Sequence, residues 1–86
     1  MKPFKESEIS KNIFLRTFYQ DVHSEDLVWH RDREDRIIEA VGETDWMLQL
    51  DDELPKKIEG QMFIPVGVYH RLIKGTGDLK IKMKKM

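Results

Sequence analysis

The 86-residue sequence contains no cysteine, only three histidines and no long run of apolar residues. Without cysteine, disulfide bonds, thiolate zinc sites and cysteine nucleophiles are excluded, so a metal ion would have to be held by histidine and carboxylate groups. A membrane-spanning helix needs about 18 consecutive apolar residues. Neither such a run nor the apolar core of a cleaved signal is present, which favours a cytoplasmic protein without membrane contact.

The chain also lacks a large excess of charge of either sign, since it has 15 basic and 16 acidic residues and a formal net charge of −1. This balance predicts no general attraction to nucleic acid or to anionic lipid. The C-terminal lysines alternate with apolar residues, and no aromatic residue stands among them to stack on a base, so we interpret them as a solvated strand face. The charged residues, 36% of the chain, are interleaved with apolar ones, which favours a folded chain over a disordered one.

The length favours one domain that covers residues 1–86, with residues 1–11 as an arm or a first edge strand. A chain of this size buries only about 60 to 65% of the surface that its unfolded form exposes, so its core is thin. We therefore expect a homodimer, since association would bury further apolar surface.

Short segments of strand type recur along the chain. Residues 46–51 and 79–84 alternate between apolar and polar positions, the period of a strand with one buried face. Seven or eight such strands at spacings of about 8 to 12 residues, without a convincing helix, indicate an all-β sandwich or barrel. We expect strand 79–84 at a sheet edge, where its lysines would discourage further pairing. The other main strands are predicted at residues 12–20, 27–32, 37–41, 62–64 and 68–73, and a turn with a strong signature at 75–78.

The candidate site is built on His30 and Asp32, which lie two residues apart on a predicted strand. Side chains at this spacing project from the same face, with their backbones about 6.5 Å apart, so both would reach one point. His70 lies on a later strand, after the turn with Pro65 and Gly67. It would complete a site of two histidines and one carboxylate with open positions, the kind that holds non-haem iron. The alternative interpretation of His30 and Asp32 is a pair of solvated surface residues.

Two segments resemble the two motifs of the cupin family. Residues 27–42 resemble the first motif, which has the form His-x-His, three or four residues, Glu, six more residues and Gly. Residues 60–70, with the sequence GQMFIPVGVYH, resemble the second, in which Gly and a short strand precede Pro-x-Gly-x-x-His. The resemblance covers residues 24–79. It implies a small antiparallel RmlC-like jelly-roll barrel, also called a double-stranded β-helix, in agreement with the strand pattern.

Two departures from the first motif bear on the expected chemistry. Asp32 stands where the family has its second histidine, which keeps a metal-competent ligand. The family's glutamate corresponds to either Asp35 or Arg36, depending on the register. An inward Asp35 would be a fourth metal ligand. An inward Arg36 would instead pair with Asp32, repel a divalent cation and leave a metal-free pocket suited to a carboxylate or phosphate.

Two functional hypotheses follow from these alternatives. In the first, the histidines and carboxylates named above hold Fe, Mn, Ni or Zn, among which such a ligand set does not choose. The resemblance then implies dioxygenase or isomerase chemistry on a small molecule. In the second, the barrel is a metal-free module for small-ligand binding or dimerisation, with Arg36 in its pocket. Tyr69 is a candidate ligand contact, the alternative being a core or interface residue. His23, in a polar turn, is interpreted as solvated.

Overall fold

The computed structural model describes residues 3–86 and is built from antiparallel strands, which confirms the all-β prediction. Within this range the one helical segment is a single 3₁₀ turn at Ser24–Asp26, and no helix has the length and apolar character needed to cross a bilayer. The strands are β1 (Lys5–Ser10), β2 (Ile13–Phe18), β3 (Arg36–Ala40), β4 (Met47–Leu50), β5 (Lys56–Lys57), β6 (Gln61–Ile64), β7 (His70–Ile73) and β8 (Leu79–Lys85).

The strands form two sheets that make a small jelly-roll barrel. One sheet has the order β1-β2-β8-β3-β6 and the other the order β5-β4-β7, and all of these pairings are antiparallel. Side chains from both sheets, together with two from the connecting segments, fill the interior. The buried core consists of Phe18, Ile38, Trp46, Leu48, Ile58, Ile64, Leu79, Ile81 and Met83.

Strand β8 lies in the centre of the larger sheet, between β2 and β3, so its predicted place at a sheet edge is wrong. The predicted alternation is confirmed, because Ile81 and Met83 are 4% and 3% exposed while the lysines beside them are exposed. The outer face of this sheet is open to solvent along β8, so a central strand can carry lysines there. The alternation therefore reports burial on one face and says nothing about which strands are the neighbours.

The predicted strand at residues 27–32 is also wrong. In its place a single bridge joins His30 to His70, with the His30 N–H donating to the His70 carbonyl (3.0 Å) and the His70 N–H donating to the His30 carbonyl (2.8 Å). This one bridge sets the two histidines side by side. At the N-terminus, Lys5–Ser10 forms an edge strand within the segment predicted as an arm or edge strand, residues 1–11, of which residues 1 and 2 lie outside the described residues.

Candidate metal centre

The structure brings His30, Asp32 and His70 together near the point where β7 begins. One ligand atom from each residue lies within 4.8 Å of the other two, and the two imidazole rings are 4.3 Å apart between centroids. Asp32 and His70 are buried, with 9% and 4% of their surface exposed, whereas His30 is exposed. The group therefore has two interior members and one that faces solvent.

Backbone contacts hold the turn before β7 against the segment that carries Asp32. The Gly67 N–H donates to the Asp32 carbonyl over 3.1 Å, and the Val66 N–H donates to Oδ1 of Asp35 over 2.7 Å. Gly67 has a φ of +77°, a left-handed conformation that glycine adopts without steric cost. These contacts fix where the chain enters β7, and with it the position of His70.

Arg36, and not Asp35, faces the group. Nη1 of Arg36 lies 3.2 Å from Oδ1 of Asp32, and the Arg36 side chain is only 12% exposed. The Asp35 carboxylate instead caps the turn at Val66, because the chain between Asp32 and β3 directs it toward that backbone N–H. The fourth-ligand role considered for Asp35 is therefore corrected, since the described ligand group contains Asp32 and the two histidines without Asp35.

A second carboxylate compensates the charge that Arg36 brings to the group. Nε of Arg36 donates to Oε2 of Glu34 over 2.7 Å, while Nη1 contacts Asp32 and the sulfur of Met83. The hydrogen bond from Arg36 holds the pKa of Glu34 below its usual value, so Glu34 is ionised at neutral pH. Two carboxylates thus face one guanidinium, and the expected repulsion of a cation is offset.

The buried Oδ2 of Asp32 has no hydrogen-bond partner among residues 3–86, although Nε2 of His70 lies 3.3 Å away. Nδ1 of His70 is 2.9 Å from the Val68 carbonyl, and because a carbonyl oxygen only accepts, Nδ1 carries the proton. Burial lowers the pKa of His70, which favours the neutral ring. In the neutral ring with the proton on Nδ1, Nε2 presents its lone pair toward Oδ2 of Asp32.

His30 has the same arrangement, since its Nδ1 lies 3.0 Å from the Val28 carbonyl and its Nε2 is the ring nitrogen left to bind a metal. Metal-bound histidines usually donate their second ring N–H to a carboxylate or backbone carbonyl in this way. A cation between the three residues would satisfy Oδ2 of Asp32 and both Nε2 atoms at once. The residues therefore fit a divalent transition metal held by two imidazoles and one carboxylate.

The group lines a cavity of about 380 Å³ whose wall is mostly apolar. Arg16 also lines this cavity, a residue that the sequence interpretation did not single out. The signal was available, because Arg16 stands between two aromatic residues at alternate positions of a predicted strand and so shares their inward face. Among the residues that form the apolar wall are Phe18, Ile38, Leu48, Ile64, Leu72 and Ile81.

Two other candidate residues lie outside the cavity. Tyr69 is 44% exposed, and the guanidinium carbon of Arg31 lies 5.4 Å from its ring centroid. Tyr69 precedes β7 and is not among the residues that line the cavity, and the ligand contact considered for it stays a prediction. His23 is exposed and is not part of the described ligand group, as its solvated interpretation expects.

Comparison with solved structures identifies the fold. Co(II)-bound HppE superposes with a TM-score of 0.72 at 17% identity, covering 100% of this chain and 55% of its own. A protein described as an RmlC-like cupin with a double-stranded β-helix fold, from Methanocaldococcus jannaschii, gives 0.68 at 13% identity, covering 99% and 82%. A protein from Neisseria meningitidis gives 0.63 at 16% identity, covering 96% and 82%. No protein-family model and no curated protein sequence matches the chain.

The chain spans about half the length of HppE, and at identities of 13 to 17% the likeness to these three structures extends to the fold. The antiparallel topology and the coverage of nearly the whole chain agree with the jelly roll expected from the two motifs. The chain has the RmlC-like cupin fold, the double-stranded β-helix.

Proposed function

We propose that this protein is a metal-binding cupin that holds a divalent transition metal, Fe, Mn, Ni or Zn, through Nε2 of His30, Nε2 of His70 and Oδ2 of Asp32. The observation that carries the proposal is the buried Oδ2 of Asp32 without a hydrogen-bond partner in the described chain, 3.3 Å from Nε2 of His70 and grouped with a ligand atom of His30. Structures of HppE, which shares the fold, contain Co(II) or Fe(II), and this supports the choice of a transition metal.

The residues around the group have distinct roles in the proposed site. The guanidinium of Arg36 pairs with Oδ1 of Asp32, so Oδ2 is the carboxylate oxygen that would bind a metal. A metal held by three protein ligands keeps open positions at which it polarises or activates a small molecule, in chemistry of the dioxygenase or isomerase type. The apolar cavity beside the group would bind the body of that molecule and exclude water from it. A cytoplasmic homodimer stays a prediction.

The test is a calorimetric titration of untagged, chelator-treated protein with Mn(II), Ni(II), Zn(II) and, without oxygen, Fe(II). We expect one metal per chain for at least one of them. His70→Ala should weaken binding about a hundredfold or more, because it removes a direct ligand and even loss of an outer-shell partner costs 10- to 100-fold. His23→Ala removes a histidine outside the group and should bind like the parent. A His70→Ala variant that retains the parental affinity would refute the site.

A second candidate function is a metal-free small-ligand or dimerisation module, and the 3.2 Å pair between Arg36 and Asp32 favours it. In such a protein the guanidinium would replace the metal as the counter-charge of Asp32. The same titration separates the two candidates. If the parent takes up well under one equivalent of every metal tried, the metal site is rejected and the second function is favoured.

A further inference from the structure

Arg16 occupies an inward position in a mainly apolar barrel. On β2 it lies on the same face as Phe14 and Phe18, and its partner on β8 is the core residue Ile81. Its side chain is 14% exposed and lines the cavity beside the metal group. Taking a guanidinium out of water is costly, and an aliphatic side chain would fill this place without that cost. A role in packing alone therefore does not account for Arg16.

The Arg16 guanidinium has more hydrogen-bond donors than the barrel uses. Its Nε donates to Oε1 of Glu6 on the edge strand β1, and the Phe4 ring centroid lies 4.0 Å from the guanidinium carbon. Within residues 3–86, no hydrogen bond joins either terminal amino group to another residue. A guanidinium has five N–H donors, so four remain for a ligand. Arg36 differs, because Glu34 and Asp32 both engage it.

The strand register separates Arg16 from the metal group. Arg16 lies opposite Ile81 on β8 and Arg36 lies opposite Lys85, four residues further along the same strand. At the rise of a β-strand this corresponds to about 13 Å. Both arginines line the same cavity, whose wall between them is formed by apolar residues such as Ile38. The cavity therefore has at one end the guanidinium of Arg16, paired with Glu6 through Nε only, then an apolar middle, and the metal group at the other end.

We infer that this cavity binds a small amphipathic monoanion whose anionic group pairs with Arg16 and whose apolar body extends toward His30, Asp32 and His70. The volume of about 380 Å³ limits the ligand to the lower end of the usual size range. Glu6 serves as the counter-ion of Arg16 when no ligand is bound. The inference rests on the proposed function in one respect only, namely the metal at the far end of the ligand.

Calorimetry with sodium hexanoate and 1-hexanol tests the role of Arg16, since the two probes share a six-carbon body and differ in charge. Arg16→Met should weaken hexanoate binding about tenfold or more, the usual size of a hydrogen bond to a charged group, and should leave 1-hexanol binding unchanged. Lys82→Met removes an exposed cation from the outer face of β8 and should match the parent. The inference fails if Arg16→Met retains the hexanoate affinity, or if the parent binds 1-hexanol as tightly as hexanoate.

Glu6→Gln is a second variant that does not remove the arginine, in case Arg16→Met fails to fold. It removes the resting counter-ion of Arg16 from an edge strand. Hexanoate should then bind several-fold more tightly, because it no longer competes with a carboxylate for the guanidinium. Unchanged or weaker hexanoate binding by Glu6→Gln would overturn the inference.

The orientation of the ligand is tested by proton NMR of hexanoate in exchange with Mn(II)-loaded protein. Paramagnetic broadening should be stronger for the terminal methyl group than for the methylene beside the carboxylate. The reverse order would mean that the carboxylate binds the metal, which overturns the inference. If calorimetry shows that none of the four metals binds, the proposed metal site is refuted separately, and the Arg16 variants still decide whether the anion is recognised.

Discussion

Two aspartates in this small barrel have opposite surroundings. Asp45 is exposed, yet both of its carboxylate oxygens are engaged, Oδ1 by the N–H of Thr76 (2.8 Å) and Oδ2 by its hydroxyl (2.9 Å). Asp32 is buried, and while Arg36 contacts its Oδ1, its Oδ2 has no hydrogen-bond partner in the described chain. Since an unpaired acceptor costs more in the interior than at the surface, the arrangement is the reverse of what stability alone would favour.

The two aspartates lie near opposite ends of the β4–β7 pair. Leu50 is opposite His70 at the end that holds Asp32, and Met47 is opposite Ile73 at the end that holds Asp45.

The Asp45 end is closed by further hydrogen bonds. Trp46, which is fully buried, donates from Nε1 to the Gly77 carbonyl and from its backbone N–H to Oγ1 of Thr44, each over 3.1 Å. At the Asp45 end, residues of the barrel itself supply the hydrogen-bond partners of these polar groups. At the Asp32 end, Oδ2 of Asp32 has no such partner in the described chain. Functional sites are expected where a buried polar group lacks the partner that stability alone would favour.

The largest expected effect comes from Asp32→Asn. The new amide would donate to Nε2 of His70 while its oxygen continues to accept from Arg36, so the facing acceptors become a hydrogen bond. We expect metal affinity to fall about a hundredfold or more, because the anionic ligand is lost. In the metal-free protein the new hydrogen bond contributes about 1 kcal/mol to the free energy of unfolding, and the loss of the buried Asp32–Arg36 charge pair opposes this gain. Calorimetry and urea unfolding in chelator measure the two quantities.

Asp35→Asn is the matched control, because it removes the same charge from a residue outside the ligand group and keeps a side-chain oxygen that accepts from the Val66 N–H. It should leave metal affinity near the parental value. If Asp32→Asn bound metal as tightly as the parent, Oδ2 of Asp32 would not be a metal ligand, and the proposed difference between Asp32 and Asp45 would be contradicted.

Gly75→Ala should destabilise the end of the barrel that holds Asp45. A Cβ at this position would lie 2.7 Å from the backbone nitrogen of Trp46 and 2.8 Å from the carbonyl carbon of Asp45, atoms that cannot move independently of the chain. We expect a loss of about 1 to 3 kcal/mol in the free energy of unfolding, the usual cost of overpacking. Metal affinity should be unchanged, because the clash lies at the opposite end of β7. Urea unfolding and calorimetry measure both quantities, and a parental unfolding midpoint would contradict the prediction.

Local patterns in the sequence were sufficient for most strands and insufficient for their arrangement. The alternation of residues 79–84 predicts a strand with one buried face, and β8 has this property. Its central position depends on pairing with β2 and β3, which are distant in sequence and leave no mark on the alternation itself. The strand prediction for residues 27–32 was wrong for a similar reason. That segment pairs with β7 at one bridge only, and this pairing also depends on residues distant in sequence.

The candidate ligands His30, Asp32 and His70 follow from the motif, and the structure places them together, although the strand on which the spacing of His30 and Asp32 was argued is absent. The choice between Asp35 and Arg36 does not follow, because consecutive strand residues point to opposite faces and a turn one residue shorter exchanges them. The role of Glu34 in compensating Arg36 was also not predictable, since it depends on where two long side chains meet.

The smallest expected effect is a pH dependence from Asp45. Hydrogen bonds from the N–H and the hydroxyl of Thr76 hold the pKa of the Asp45 carboxyl below its usual value. A group whose folded pKa is lowered stabilises the fold above its unfolded pKa, about 3.9 for aspartate, and loses that contribution as pH falls through the folded value. Asp45→Asn should therefore unfold at lower urea than the parent at pH 7, and the difference should close below about pH 4.

Urea midpoints at pH 7, 5 and 3 measure this difference, which should be smaller than that of Gly75→Ala because Asp45 is exposed and its charge is screened by solvent. Thr76→Val removes the hydroxyl and keeps the backbone donor, so it should show part of the same pH dependence. If the difference between the parent and Asp45→Asn were the same at all three pH values, shape and not charge would account for the contact.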